Sequence, residues 1–149
     1  MSQIKAIIDA ISAVSVGTET QTPTVYDVDN AISNLKGTPA RIVFVLPMGT
    51  NEGRDTRWVT STTMVTTWDI ADLLLYDRVK KGSTIHTATP ELVGYVSNYL
   101  AAFKSKVGLL SGVTIENIEA EWDVIEYPPE SGNEYYGCLM TLTVKEIIQ

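Results

Sequence analysis

The chain has 149 residues, which is enough for one domain with a substantial core and too few for two comfortable ones. Its hydrophobic fraction of 44% is typical of a globular protein and argues against a disordered chain. The charged residues are 11 basic and 18 acidic, a net charge of −7, which excludes a generally basic surface for holding nucleic acid. An acidic protein can still surround DNA if the DNA has to slide through it without binding.

The single cysteine, Cys138, excludes an intrachain disulfide and a cysteine zinc cluster, and it favours a reducing compartment. Lys5 and Asp9 interrupt the first apolar residues before a signal peptide could develop. The longest apolar run, residues 73–76, is far too short to span a membrane. These features predict a soluble protein made in the cytoplasm.

Apolar residues recur every three or four positions across residues 2–15, which predicts a first helix with one buried stripe. The stripe consists of Ile4, Ile7, Ile8, Ile11 and Val14. After a polar turn at residues 17–23, a short helix is predicted over residues 29–35, ended by Gly37. The apolar run at residues 41–46 then predicts a buried strand that Pro47 ends.

Residues 48–55 are predicted to form a loop with charged residues at its tip. A long β-rich stretch follows over residues 56–79, and its alternation loses phase at residues 60–63, which predicts a bend or a division into two strands. Beyond that point both faces of the strand become apolar toward Leu75, so we expect this end of the strand to lie in the centre of the sheet and to be covered on both faces.

The second main helix is predicted to begin with Thr89 as its N-cap, Pro90 at the first helical position and Glu91 in the first turn. Gly108 is placed to end it. Its predicted apolar stripe is Leu92, Val93, Val96, Tyr99, Leu100, Phe103 and Val107.

Two alternating strands are predicted at residues 114–127 and 134–147, joined by a turn at 128–133. In the first of them the residues expected to face the core are Ile118, Ala120, Trp122 and Val124. The second runs almost to the last residue, so we expect it to be built into the sheet. The order of elements predicts an α+β fold, an antiparallel β-sheet of mixed strand lengths with two main helices packed on one face.

No residues form a convincing catalytic set. His86 is predicted to lie in a solvated loop, and Cys138 lies on the apolar face of its strand, where a small buried side chain is expected. The tryptophans Trp58, Trp68 and Trp122 all fall in strands, where core packing explains them better than sugar stacking. We therefore predict neither an enzyme nor a cofactor.

An acidic row, Glu119, Glu121 and Asp123, projects from the other face of its strand at a spacing of about 7 Å. The ordinary interpretation is a solvated outer face. Two alternatives are a site for a hard cation such as calcium or magnesium and a negatively charged wall that lines a channel. The one basic cluster, Arg78, Lys80 and Lys81, is either a solvated loop or a docking point for an acidic neighbour.

The order of elements resembles the tail terminator proteins of long-tailed bacteriophages. The similarity lies in the opening helix, the strand entered at residues 39–45, the long strand at 66–76, the capped helix at 90–107 and the final strand at 137–144. It covers nearly the whole chain, as a similarity of architecture and strand pattern rather than of a signature motif.

The resemblance implies a structural virion protein, a ring of six copies that caps the tail tube, stops its polymerisation and provides the surface for head joining. Its partners would be itself, the tail tube protein and a head–tail connector, at the head-proximal end of the virion tail. DNA would pass through without specific binding, with Glu119, Glu121 and Asp123 facing the lumen. The residues expected at subunit or tube interfaces are Asn51, Glu52, Arg54, Asp55, Arg78, Lys80, Lys81, Glu130 and Asn133.

Two alternatives to this function stay open. The first is a tail-completion or head–tail connector (neck) protein of the same virion, since those proteins share much the same plan. The second is a small ligand-binding module in which Trp58, Tyr76 and Tyr135 line a cleft.

Overall fold

The computed structural model describes residues 3–18, 21–26, 37–46 and 54–149. Within these residues there are two helices and six strands, so the predicted α+β class is confirmed. The helices are α1 (Ile4–Ala13) and α2 (Ile85–Phe103). The strands are β1 (Thr24–Tyr26), β2 (Ala40–Val45), β3 (Arg54–Trp58), β4 (Met64–Arg78), β5 (Val113–Glu126) and β6 (Glu134–Ile148). The helix predicted at residues 29–35 lies outside the described residues.

The strands form one sheet in the order β1-β2-β4-β6-β5. Strand β3 also pairs with β4. It lies along the same edge of β4 as β2, and β6 lies along the opposite edge. The division predicted at residues 60–63 is confirmed, because β3 and β4 form a hairpin there. All described pairs are antiparallel except β1 with β2, so the sheet is mixed where the sequence predicted an antiparallel one. The three residues of β1 are too few to show an alternation in the sequence.

Both helices cover the same face of the sheet, as predicted. Ile7 and Ile11 of α1 share one core with Leu92 and Tyr99 of α2. We call this the helix face, and β4 contributes Ile70 and Leu74 to it. The alternate residues of β4 point to the opposite, helix-free face, where a smaller cluster is buried. That cluster consists of Ala40, Ile42, Leu73, Leu75 and Tyr135.

Helix α2 begins one turn earlier than its sequence predicts. Thr84 is the N-cap in place of Thr89, and Pro90 lies inside the helix. A proline in a helix interior costs about 3 kcal/mol because one hydrogen bond is lost and the ring crowds the preceding turn. Packing outweighs this cost, since Ile85 and Ala88 extend the side of α2 that contacts the core. His86 therefore lies exposed in the first turn of α2, and its predicted loop position was wrong.

The predicted stripe of α2 was too wide, and the helix ends at Phe103, before Val107 and Gly108. Its buried residues are Ala88, Leu92, Tyr95, Tyr99 and Phe103. Val93 and Leu100 are 42% and 46% exposed. Asn98 donates a hydrogen bond to the Gly17 carbonyl just beyond α1, at 3.0 Å. Val93 and Leu100 lie on the opposite flank of the helix, so they face away from α1, toward the β5 side of the sheet.

A buried ion pair that was not predicted from the sequence joins the helices to the sheet. The Arg41 guanidinium donates to both carboxylate oxygens of Asp72, from Nε at 2.8 Å and from Nη2 at 2.6 Å. It also donates to the carbonyls of Ile11 and Val14 at the end of α1. The Tyr99 hydroxyl donates to Asp72 at 2.8 Å, and burial together with this carboxylate raises the pKa of Tyr99. One network therefore connects α1, β2, β4 and α2.

Candidate subunit interface and acidic face

Strand β5 forms one edge of the sheet. Ile115 donates a backbone hydrogen bond to the Val107 carbonyl, so the chain itself covers the beginning of this edge. From Glu116 onward, no other strand of the described residues pairs with the outer side of β5. Such an edge exposes backbone donors and acceptors that can pair with another strand.

The composition of this edge strand is strongly one-sided. Its 14 residues contain acidic side chains and neither lysine nor arginine. The acids are Glu116, Glu119, Glu121, Asp123 and Glu126. Like charges directly opposite each other destabilise a strand pair, so this edge disfavours pairing with a second copy of itself.

The acidic row Glu119, Glu121 and Asp123 is exposed, as predicted. Glu121 is opposite Leu139, and Leu139 is opposite Leu73, which places the row on the helix-free face. Among the described residues there is no group of three side chains arranged to hold a metal ion. Within the described ranges the row therefore has no further histidine, cysteine or carboxylate grouped with it for the cation site considered from the sequence.

An apolar groove of about 690 Å³ lies beside this row on the helix-free face. Its lining includes Phe44, Leu73, Ile125, Tyr127 and Leu139, and Glu121 and Asp123 also contribute. Concave apolar surfaces with a few polar groups at the rim are common binding sites, so the groove is a feature that a ligand or another chain could cover.

The residues of β5 that were predicted to face the core do lie on the helix face, but they are less buried than predicted. Trp122 is opposite Cys138 on the helix face, but it is 41% exposed, and Ala120 is exposed as well. Only Ile118 and Val124 are partly buried against the core. The physical reason is that β5 lies at the edge of the sheet, where the helix layer covers the face only in part.

Trp58 is also uncovered, and its predicted core position was wrong. It is 68% exposed at the end of β3, opposite Met64 of β4. Met64 alternates in phase with Ile70 and Leu74, so Trp58 lies on the helix face, as Trp122 does. Trp68 alone is partly buried, and its Nε1 donates to the buried carboxylate of Glu146 at 2.9 Å.

The structure separates the three aromatic residues of the proposed ligand cleft. Tyr135 is buried on the helix-free face, whereas Trp58 and Tyr76 lie on the helix face. Trp58 is opposite Met64, twelve positions along β4 from Tyr76, a separation of roughly 40 Å. The prediction that these residues line one cleft was therefore wrong.

The residues predicted at interfaces fall into two regions. Arg78 donates to the Asn133 side chain at 2.5 Å, and Lys80 lies 3.4 Å from Asp77. Lys81 and Glu130 are exposed near the same end of the sheet, which we call the basic end. Arg54 and Asp55 belong to β3 and not to the predicted loop, because residues 54–58 pair with β4. Arg54 is opposite Trp68, about 33 Å along β4 from Arg78. Asn51 and Glu52 lie outside the described residues.

Cys138 is buried, as predicted. Its thiol donates to the Leu92 carbonyl at 3.5 Å, and burial raises the pKa of Cys138 to about 12. Because the thiolate is the nucleophilic form, this environment keeps the sulfur unreactive at neutral pH.

No protein-family model matches the chain, and no curated protein matches it either. Neither described helix is long and apolar enough to cross a membrane. The features that bear on function are therefore those of the molecule itself: a long acidic strand edge, uncovered tryptophans at both edges of the sheet, and an acidic helix-free face with an apolar groove.

Proposed function

We propose that this protein is a structural subunit of a bacteriophage tail, a tail terminator. Six copies form a ring that caps the tail tube, stops its polymerisation and presents the surface for joining the head. The observation that supports this most is the open, acidic edge of β5 together with the uncovered apolar groups beside it. The subunit acts by assembling and not by catalysis, and it needs no cofactor.

The chemistry of the β5 edge favours a ring over a two-fold dimer. A ring is built by a heterologous interface, in which two different patches of the same subunit meet and the rotation closes. Pairing of β5 with β5 in a dimer would bring its five acids against five more. A different, less acidic patch is the better partner for this strand.

The helix-free face suits the lumen of such a ring. If the strands run approximately along the ring axis and the helices lie outside, this face looks inward and carries Glu119, Glu121 and Asp123. Carboxylates repel the phosphates of DNA, and the net charge of −7 adds to the repulsion. DNA could then pass without specific binding.

The two ends of the long sheet provide separate surfaces for two partners. Strand β4 has 15 residues, a length of about 50 Å. The basic end, with Arg78 and Lys80, is one docking surface, and the β3–β4 hairpin at the other end is a second. The proposed partners are the tail tube protein and the head–tail connector, at the head-proximal end of the virion tail.

Polymerising tail tube protein provides the test. Adding the purified chain should limit tube growth and leave capped ends visible by electron microscopy. A tail-completion or neck protein, the second candidate, should leave the distribution of tube lengths unchanged. Unchanged lengths with the chain bound at the head-proximal end would favour that candidate, and no binding to any tail component would contradict both.

A further inference from the structure

We propose that β5 of one copy pairs with β1 of the next copy, so that successive subunits share a continuous sheet. The occupant of the β5 edge is thus a second copy of this chain, which contributes the strand at the opposite edge of its own sheet. This inference deepens the proposed function because it names the two surfaces that meet, and it rests on that function only for the number of copies in the ring.

Strand register is the first support, because it places the two edges at the same level. One row of paired residues crosses the whole sheet and consists of Val25, Arg41, Leu74, Cys138 and Trp122. A rotation about an axis along the strands therefore brings β5 of one copy beside β1 of the next with no shift along the strands. A shift would wind the copies into a helix, whereas its absence allows the rotation to close into a ring.

Strand direction is the second support. Strand β1 is parallel to β2, and β2 is antiparallel to β4. Strands β4 and β5 run in the same direction because each is antiparallel to β6. Strand β1 therefore runs opposite to β5, and the rotation preserves both directions. The two strands would meet as an antiparallel pair.

The backbone of β1 has a residue that is oriented to pair outward. Thr24 donates its N–H to the Pro39 carbonyl, on the side of β2. Successive residues of a strand turn their backbone groups to opposite sides, so Val25 directs its N–H and C=O away from β2. No other strand of the described residues pairs with β1 on that side.

The backbone of β5 is oriented in the matching way. Ile115 lies on the helix face and directs its N–H outward, to the Val107 carbonyl. Residues on one face of a strand turn their backbone groups to the same side, so Trp122, also on the helix face, directs its own N–H and C=O outward. Val25 of one copy and Trp122 of its neighbour could then exchange two backbone hydrogen bonds.

The side chains on both faces fit the same pairing. On the helix face Val25 is 45% exposed, and it would lie directly opposite the uncovered Trp122, as in the aromatic and β-branched pairs that stabilise sheets. On the helix-free face Thr24 shares a row with Asp123, so a hydroxyl donor would meet a carboxylate. Strand β1 contains no charged residue, so it adds no like charge to the acidic edge.

The outlines of the two edges are complementary as well. In the row of Trp68, β3 takes the place of β2, and no described strand lies outside β3. At the other end of this row, the chain at Val107 adds one segment outside β5 through its bond to Ile115. Among the described residues the sheet is therefore five segments wide in this row, as it is in the row of Val25. Copies could repeat at one spacing along both rows.

Other pairings of these edges fit less well. Pairing of β5 with β5 would set acids against acids. The outer side of β3 lies in rows where the chain at Val107 already covers β5. Pairing of β1 with β1 would leave the longer β5 edge open.

The test uses single cysteines in a chain that also carries Cys138→Ala. One protein carries Thr24→Cys and the other Asp123→Cys, which keeps Val25 and Trp122 in place. The two are mixed with a dithiol-reactive linker that spans about 5 Å, the separation of opposite Cβ atoms in an antiparallel pair. A crosslinked pair should form in the mixture and not in either protein alone.

A matched control tests the register. Glu119 is exposed on the same face of β5 as Asp123 but lies four residues away, roughly 13 Å along the strand. Thr24→Cys mixed with Glu119→Cys should therefore not crosslink. A chain that carries both Thr24→Cys and Asp123→Cys should give a ladder of covalent oligomers, because within one subunit the two positions are four strand spacings apart, roughly 19 Å.

Several results would overturn the pairing. Crosslinking of Asp123→Cys alone would indicate β5 against β5, and crosslinking of Thr24→Cys alone would indicate β1 against β1. Crosslinking of Thr24→Cys with Glu119→Cys in preference to Asp123→Cys would reject the register. Rings seen by sedimentation without any crosslink would reject the contact and leave the proposed function standing. Conversely, crosslinked rings that fail to limit tube growth would support the pairing and contradict the terminator function.

A proline substitution provides a second measurement in the otherwise unchanged chain. Val25→Pro removes an N–H that points away from β2, and proline is tolerated on edge strands, so the subunit should still fold. It should raise the concentration needed for assembly several-fold. Val25→Thr, which keeps the N–H and the β-branched shape, is the control and should assemble nearly as the unchanged chain does. Equal assembly of the two variants would overturn the proposed contact.

Discussion

Replacing Asp72 by asparagine is expected to destabilise the fold severely. The substitution preserves the shape of the side chain and removes its charge, while Arg41 stays buried with 2% of its surface exposed. Asp72 accepts two hydrogen bonds from Arg41 and one from Tyr99, so the change weakens contacts to two elements at once. The guanidinium keeps its carbonyl acceptors on Ile11 and Val14 but loses its counter-charge.

Breaking a buried ion pair from one side costs about 3–5 kcal/mol, because an uncompensated charge is left in the core. A domain of this size has a total stability of about 5–15 kcal/mol, so the loss is a large fraction of it. With a urea dependence of about 2 kcal/mol per molar, the unfolding midpoint should fall by about 2 M. Urea denaturation followed by tryptophan fluorescence measures this shift.

Two controls make the Asp72→Asn measurement specific. Asp77→Asn removes a half-exposed partner of Lys80 and should cost less than about 1 kcal/mol. Replacing the pair together, with Arg41→Met and Asp72→Leu, should recover much of the loss because no buried charge remains. A cost below about 1 kcal/mol for Asp72→Asn, with no gain in the double variant, would refute the idea that this network joins the helices to the sheet.

Three further predictions concern pH, DNA and salt. Cys138 is protonated in the folded state up to a pKa of about 12, against an ordinary value of 9.0, so the unfolded state releases this proton first as the pH rises. Stability should therefore fall above pH 9 by up to about 1.4 kcal/mol per pH unit, and denaturation of Cys138→Ala between pH 8 and 10 should lack this part of the loss. Changing Glu119, Glu121 and Asp123 to lysine should make rings retain DNA in a filter-binding assay, because the face proposed to line the lumen then attracts phosphate; equal retention by the unchanged ring would reject the lumen assignment. Binding of the ring to tail tube protein or to the connector should weaken with salt, because exposed charges are screened beyond about 10 Å at 0.1 M, and a chain with Arg78, Lys80 and Lys81 changed to alanine should show less salt-sensitive co-sedimentation with these partners; unchanged sensitivity would remove the basic end from the docking surfaces.

The regular elements were predictable where one physical signal dominated. The alternation that ends at Ile148 identified β6, and the helical spacing from Ile4 to Val14 identified α1. The beginning of α2 was not predictable from Pro90, because the packing of Ile85 and Ala88 against the core outweighs the local preference of proline. Local signals define an element, and tertiary packing sets its limits.

The candidate site was predictable only in part. The acidic row on β5 was placed on the correct face, because a strand alternates with a period of two. The exposure of Trp58 and Trp122 was not predictable, because alternation assigns a face but does not tell whether a helix covers it. The buried position of Asp72 could have been recognised, because its carboxylate lies between Ile70 and Leu74 on a buried face of the strand. A buried carboxylate requires a hydrogen-bonding or charged partner. Arg41, at the beginning of another buried strand, was the available cation.

The native mass of the purified chain, measured over a wide range of concentrations, tests the ring most directly. A closed ring predicts one discrete assembly, about 98 kDa for six copies of a 16.3 kDa chain, with no larger series above it. A single 16.3 kDa species at every concentration, alone and with tail tube protein present, would contradict a function that depends on self-assembly.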